Sequence, residues 1–213
     1  MRTFEDRILI LGRINPRLWT GFSDSMGKIK VSGKGIFSLT FYRATLTEGR
    51  SDILRIREAV MEKTFYKLTR NYRKFRTVSR AFGIIRDYIP YNFPIEGLLD
   101  TTYSFLKEVE DSRDEHLTAL YMLWLYRLLE HSGELEHILT CRKCGSSEIK
   151  FYLEGTGFLC ENCVPENARA PNNSTILLLK HLGRFDYKSV KSIGEKAEKI
   201  IPILEDSLKW LSS

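Results

Sequence analysis

Between Arg7 and about Glu58 the apolar positions come in short runs rich in β-branched and aromatic residues. "RILILGRI", "RLWTGF", "GIFSLTFYRATL" and "DILRIREA" are separated by turn-forming pieces: Asn15–Pro16, "SDSMG" at 23–27, "SGKG" at 32–35 and "TEGRS" at 47–51. Such spacing predicts four or five short strands. A small closed barrel, of OB-fold size, would remove the edge that so short a sheet otherwise exposes. An SH3-like barrel or a plain meander fits the periodicity nearly as well.

From about Ala59 the period becomes helical. Met61, Phe65, Leu68, Tyr72 and Phe75 form an apolar stripe at offsets of 0, 4, 7, 11 and 14, and Lys63, Lys67, Arg70 and Lys74 fall opposite it. Further helices are expected at about 77–88, 95–110, 113–131, 173–183 and 188–211, the last broken at Pro202. "IPYNFP" at 89–94 interrupts the series, because two prolines bracket a turn. Ser112 with Glu115 has capping-box spacing ahead of "LTALYMLWLYRLL", apolar nearly all round and so expected at the centre of a bundle. The expected class is α+β: an OB-fold-like barrel over 1–58, then a helical domain over 59–213 with a cysteine segment inserted at 140–165.

Charge sharpens this picture. The net charge is +6, but residues 1–80 carry 18 Lys/Arg against 7 Asp/Glu, while residues 81–213 carry 15 against 20. An excess of that kind in one part marks a polyanion-binding surface. The expected phosphate contacts are Arg13, Arg17, Lys28, Lys30, Lys34 and Arg43 from the barrel, extended by Lys63, Lys67, Arg70 and Lys74. Trp19, Phe22, Phe37 and Tyr42 are candidate stacking platforms. With 43% hydrophobic and 28% charged residues the composition is that of a globular protein. The longest apolar run, Ala119–Tyr126, is too short to span a membrane. The first residues lack a secretory pattern, so a cytoplasmic location is expected, and "NNST" at 172–175 reads as a polar turn.

All four cysteines lie in "CRKCGSSEIKFYLEGTGFLCENC". Cys141, Cys144, Cys160 and Cys163 form two Cys-x-x-Cys pairs 15 residues apart, the spacing at which two knuckles present four thiolates to one zinc ion. A catalytic zinc keeps an open position, whereas four thiolates close the site, so the expected metal is structural. No His-x-Glu accompanies the cysteines, "GFSDS" lacks the second glycine of a nucleophile elbow, and "GKIKVSGKG" lacks P-loop spacing. Nothing here points to an enzyme.

The order of these parts resembles the bacterial RecO family. "DRILIL", "RLWTGFSDSMGKIKVSGKGIFSLTFYR" and "DILRIREAVMEKTFYKL" resemble that family's first strands, basic loop and entry into the helices. "LTALYMLWLYRLLEHSGELEHILTCRKCG" resembles its buried helix running into the zinc motif. The resemblance implies a non-catalytic mediator of the RecF pathway. Such a protein binds single- and double-stranded DNA, anneals complementary strands and assists RecA loading, with RecR and the tail of single-strand-binding protein (SSB) as partners. The family's loop is often densely basic, whereas "SDSMGKIK" opens with an acid and two serines. The alternative from the residues alone is a zinc-ribbon adaptor that binds RNA or a ribosomal partner.

Overall fold

A computed structural model describes residues 2–49, 51–168, 170–171 and 173–209. The chain forms two compact units, Met1–Asp111 and Ser112–Ser213. In the first, β1 (Thr3–Asn15), β2 (Leu18–Ser23), β3 (Gly27–Ser32), β4 (Thr40–Glu48) and β5 (Ile53–Thr64) precede α1 (Tyr72–Tyr88) and α2 (Leu98–Asp111). Strand neighbours follow the order β1-β2-β3-β5-β4, and β4 pairs back to β1. All these pairings are antiparallel except β3 with β5.

Alternation along the strands sends one set of side chains to each face. Ile8, Ile10, Ile29, Val31, Tyr42, Ala44, Leu46 and Leu54 form one buried cluster. β1 is buried on both faces over Ile8–Leu11, which explains its unbroken apolar run. On another face Phe41, Phe65 and Tyr103 meet edge to face with centroids 5.2–6.0 Å apart, linking β4 to α2. The Arg7 guanidinium lies over Phe41 and Tyr103 and pairs with Glu62 at 2.8 Å and Asp100 at 2.5 Å, so a charged side chain ties β1 to β5 and α2.

The expected fold class, a short-stranded barrel over 1–58 followed by a separate helical domain, is corrected here in its strand lengths and its bounds. The strands are not all short, since β1 has 13 residues and β5 has 12. β5 continues to Thr64, so no helix starts at Ala59, and α1 and α2 belong to the same compact unit as the sheet. The apolar stripe fails with it. Phe65 and Leu68 are buried, but Met61 stands half-exposed on β5 and Tyr72 is 74% exposed on α1. The opposed cationic stripe is likewise split. Lys63 is on β5, Lys67 and Arg70 sit in a 3-10 turn at Tyr66–Arg70, and Lys74 is on α1. Of that stripe only Met61 lies where pairing with β4 holds the chain extended, Leu68 sits in the 3-10 turn, and Tyr72 and Phe75 are on α1, so one helical period was read across three different elements.

The second unit is built on α3 (Leu117–His131), eleven of whose fifteen residues are buried, as its sequence predicts. α4 (Leu135–Leu139) leads to the hairpin of β6 (Phe151–Leu153) and β7 (Gly157–Leu159), followed by α5 (Asn173–His181) and α6 (Lys196–Ser207). The expected capping box does not form: α3 opens after a 3-10 turn at Asp114–His116, and the buried Ser112 hydroxyl has no partner among the described residues. Pro202 lies inside α6 and does not break it, while Ser189–Ile193 is a separate 3-10 turn. Asn172 and residues 210–211 of the expected last helix lie outside the described residues. No described helix is long and apolar enough to cross a membrane.

Candidate nucleic-acid interface and metal centre

In the first unit β1, β3 and β5 border a cleft of about 930 Å³ lined by Arg13, Arg17, Lys34, Arg55 and Arg57, with no acidic residue in its wall. All five side chains belong to exposed residues. The β1–β2 pairing shifts register between Arg13 and Asn15, an irregularity of the kind that re-aims side chains. Arg13 lies over the Trp19 ring at 4.9 Å and donates to the Pro16 carbonyl at 3.3 Å. On β5, Leu54 is buried and Arg55 and Arg57 are exposed, the two-residue period of a strand with one covered face. Arg57 donates weakly to Thr47 Oγ1 at 3.4 Å. A second hollow of about 620 Å³ shares Arg17, Ser32, Arg55 and Arg57 with the cleft, adds no further cation and has Glu48 in its wall, so the acid-free surface ends there.

Arg55 and Arg57 were missed by sequence reasoning. The signal was the alternation in "LRIRE", legible once that run is known to be a strand with one buried face.

The expected contacts divide into three groups. Arg13, Arg17 and Lys34 meet in the cleft. Lys28 and Lys30 do not. Lys28 is 5% exposed; its ammonium donates to the Arg86 carbonyl at 2.6 Å, lies over the Tyr91 ring at 4.4 Å, and has its pKa lowered by burial. Lys30 pairs with Asp52 at 2.5 Å. The segment around them is fixed rather than loop-like: a Cβ on Gly27 would lie 1.9 Å from the Phe93 carbonyl oxygen, and Asn92 N–H donates to the Lys28 carbonyl. Ser23 and Ser25 both donate to Asp6, which accounts for the two serines of that segment. Arg43 reaches Glu62 at 3.4 Å, Lys63 pairs with Glu110 at 3.2 Å, and Lys74 donates to the Glu110 carbonyl at 2.7 Å. Lys67 and Arg70 are exposed.

Of the expected stacking residues, Phe22 and Tyr42 are core, Trp19 is half-buried and Phe37 is 59% exposed.

In the second unit the four cysteine sulfurs lie within 4.8 Å of one another. Cys144 Sγ and Cys160 Sγ are 3.5 Å apart. Four thiolates around one zinc at its usual Zn–S length sit about 3.8 Å from each other, so the donor set fits one tetrahedral ion. Gly145, at φ 74°, turns the first knuckle so that its N–H reaches the Cys141 carbonyl at 2.7 Å. Cys163 N–H closes the second on the Cys160 carbonyl at 3.1 Å. Burial raises the Cys141 thiol, but backbone N–H groups of Cys160, Cys144 and Lys143 more than offset this and bring it down to about 6. Hydrogen bonding with Cys160 and Cys144 pushes Cys163 up to about 12. Thiols this close ionise against one another, and a divalent cation relieves that repulsion. The hairpin between the knuckles is anchored to α6, where buried Asp206 accepts from the Tyr152 hydroxyl at 2.5 Å and the Gly155 N–H at 2.7 Å.

Together these features define an α+β protein with a cationic, acid-free cleft on its sheet unit and a four-thiol knot in its helical unit. Residues 77–211 match the family model described as "Recombination protein O C terminal", and the chain belongs to the RecO family. It is similar to "DNA repair protein RecO" of Mesoplasma florum, with 23% identity over 188 residues, covering 81% of this chain and 68% of that protein.

Proposed function

We propose that this protein acts in DNA repair and recombination as a mediator. It binds single- and double-stranded DNA through the cleft of the first unit, anneals complementary strands, and assists RecA loading on SSB-coated DNA. RecR and the SSB tail are its partners. The observation that carries this reading is the acid-free cleft with five Arg/Lys, found in a chain of the RecO family. Two complementary strands repel through their phosphates; a cationic cleft that neutralises them without reading bases raises their local concentration and needs no nucleotide. One zinc ion held by Cys141, Cys144, Cys160 and Cys163 is structural in this reading, since the donor set leaves no position for a substrate. The reading assigns no catalytic residue.

The test is pairing of two labelled complementary oligonucleotides without ATP, with and without an SSB coat. The wild-type protein accelerates pairing in both. Arg17→Glu with Arg55→Glu abolishes the acceleration, whereas Lys188→Glu with Lys196→Glu, both exposed in the second unit, retains it. Tight DNA binding with pairing at the spontaneous rate would reject the mediator function and favour the adaptor reading.

A further inference from the structure

From Phe65 to Ile85 the chain contains no Asp or Glu, yet it carries Lys67, Arg70, Arg73, Lys74, Arg76 and Arg80. A solvated helix face ordinarily mixes both signs of charge, because opposite charges three or four residues apart support the helix. The stretch from Phe65 to Ile85 carries one sign only. α1 buries Val78, Ala81, Phe82 and Ile85. At about 100° per residue, Phe75, Tyr72, Arg76, Arg80 and Arg73 sweep an arc of about 160° that starts beside buried Phe82 and runs round the other side. All five are exposed. Lys74 turns elsewhere, to the Glu110 carbonyl. The 3-10 turn that precedes the helix adds Tyr66, Lys67 and Arg70, also exposed.

Three large aromatic rings stand in this cationic field: Tyr72 is 74% exposed, Tyr66 64% and Phe75 41%. Single exposed apolar residues need no explanation, but three among exposed cations with no acid nearby in sequence do. Phosphate neutralisation alone would use the cations and leave the rings idle. Unpaired bases offer them a face to stack on, and the sugar–phosphate chain between bases offers the cations their partners. Duplex DNA offers only the second, because its bases already stack on each other.

We propose that the surface formed by the 3-10 turn and α1 is a second site, selective for single-stranded nucleic acid, with Tyr66, Tyr72 and Phe75 stacking on bases and Lys67, Arg70 and Arg76 meeting phosphates. It shares no residue with the cleft. The inference extends the nucleic-acid reading to a second surface, and it is tested by residues outside the cleft, so the two can fail separately.

The experiment is fluorescence anisotropy with three labelled probes of equal length: oligothymidine, a fully abasic strand and a duplex. The wild-type protein binds oligothymidine more tightly than the abasic strand. Tyr66→Ala, Tyr72→Ala and Phe75→Ala together lower oligothymidine affinity about fivefold or more, while abasic and duplex affinities stay within twofold. Tyr72→Ala alone, at the most exposed position, lowers it in the same selective way, and Tyr72→Phe restores it because the ring remains. An equal loss on the abasic strand, or no loss on oligothymidine, overturns the stacking site. Tight capture of polyglutamate, weakened by the same ring substitutions while oligothymidine binding is unchanged, would instead make this a docking face for an acidic protein. The cleft variants of the preceding test bear on the other site: if they abolish duplex binding and leave the base-dependent part of oligothymidine binding, the second site stands on its own.

Discussion

Removing the carboxylate of Asp206 should loosen the four-thiol knot without touching a cysteine. The side chain is 7% exposed. One of its oxygens accepts from the Tyr152 hydroxyl and the Gly155 N–H, fastening the β6–β7 hairpin to α6, and the other accepts from Lys209 at 2.6 Å. Hydrogen bonds to a charged group contribute about 1.5–3 kcal/mol each. Gly155 is exposed and Tyr152 half-buried, so water can reach both donors and the lower end applies, about 3 kcal/mol for the pair. The Lys209 pair adds a few tenths, because that side chain is 55% exposed. Asp206→Ala therefore costs about 3 kcal/mol, a melting shift of roughly 10 °C or more for a unit of this size. Asp206→Asn keeps an acceptor oxygen and costs about 1 kcal/mol. Burial raises the Asp206 pKa, but bonds from Lys209, Tyr152 and Gly155 outweigh it and leave it below the ordinary carboxylate value. With the folded pKa depressed, the stabilisation is fully present above the unfolded value near 4 and disappears as pH falls through the folded one. The difference between wild type and Asp206→Ala should thus be full at neutral pH and shrink below about pH 4. The assay is thermal melting followed by circular dichroism across that range. Equal costs for Ala and Asn, or a difference that persists unchanged in acid, would refute the anchoring argument.

Two further outcomes follow from the sites. If all five cations of the cleft meet phosphates, log affinity for duplex DNA falls against log salt with a slope of about −4.5, and Arg55→Gln with Arg57→Gln brings it to about −2.7. Lys28→Met, at a buried position, leaves that slope unchanged, and equal slopes for wild type and the arginine double variant would remove β5 from the interface. Purified protein carries about one zinc per chain, and Cys141→Ser lowers metal content and melting temperature together; full metal loss with an unchanged melt would show that the ion does not hold the fold.

Several features were determined by local sequence. The buried α3 follows from a run apolar on every face, which no solvent-facing helix tolerates. The knot follows from the cysteine spacing, because two short turns with glycine at Gly145 preset each pair of sulfurs and need few distant contacts. The strands of the first unit follow from their turns and β-branched runs, as does a cationic first part from the charge count. Tertiary structure decided the rest. The apolar spacing from Met61 to Phe75 suits one helix starting near Ala59, but pairing with β4 holds residues 59–64 extended, a non-local hydrogen-bond ladder that propensity does not encode. Lys28 and Lys34 are both Gly-flanked lysines on neighbouring segments in the sequence. One is sealed under Tyr91 by the return of residues 91–94, and the other opens into the cleft. Arg55 and Arg57 join Arg13 and Arg17 only because β5 crosses to lie beside β3, in parallel, after β4 has intervened. Charge along a chain is a local quantity, whereas a binding surface is made by whichever strands the fold sets side by side, and that choice rests on long-range pairing and burial.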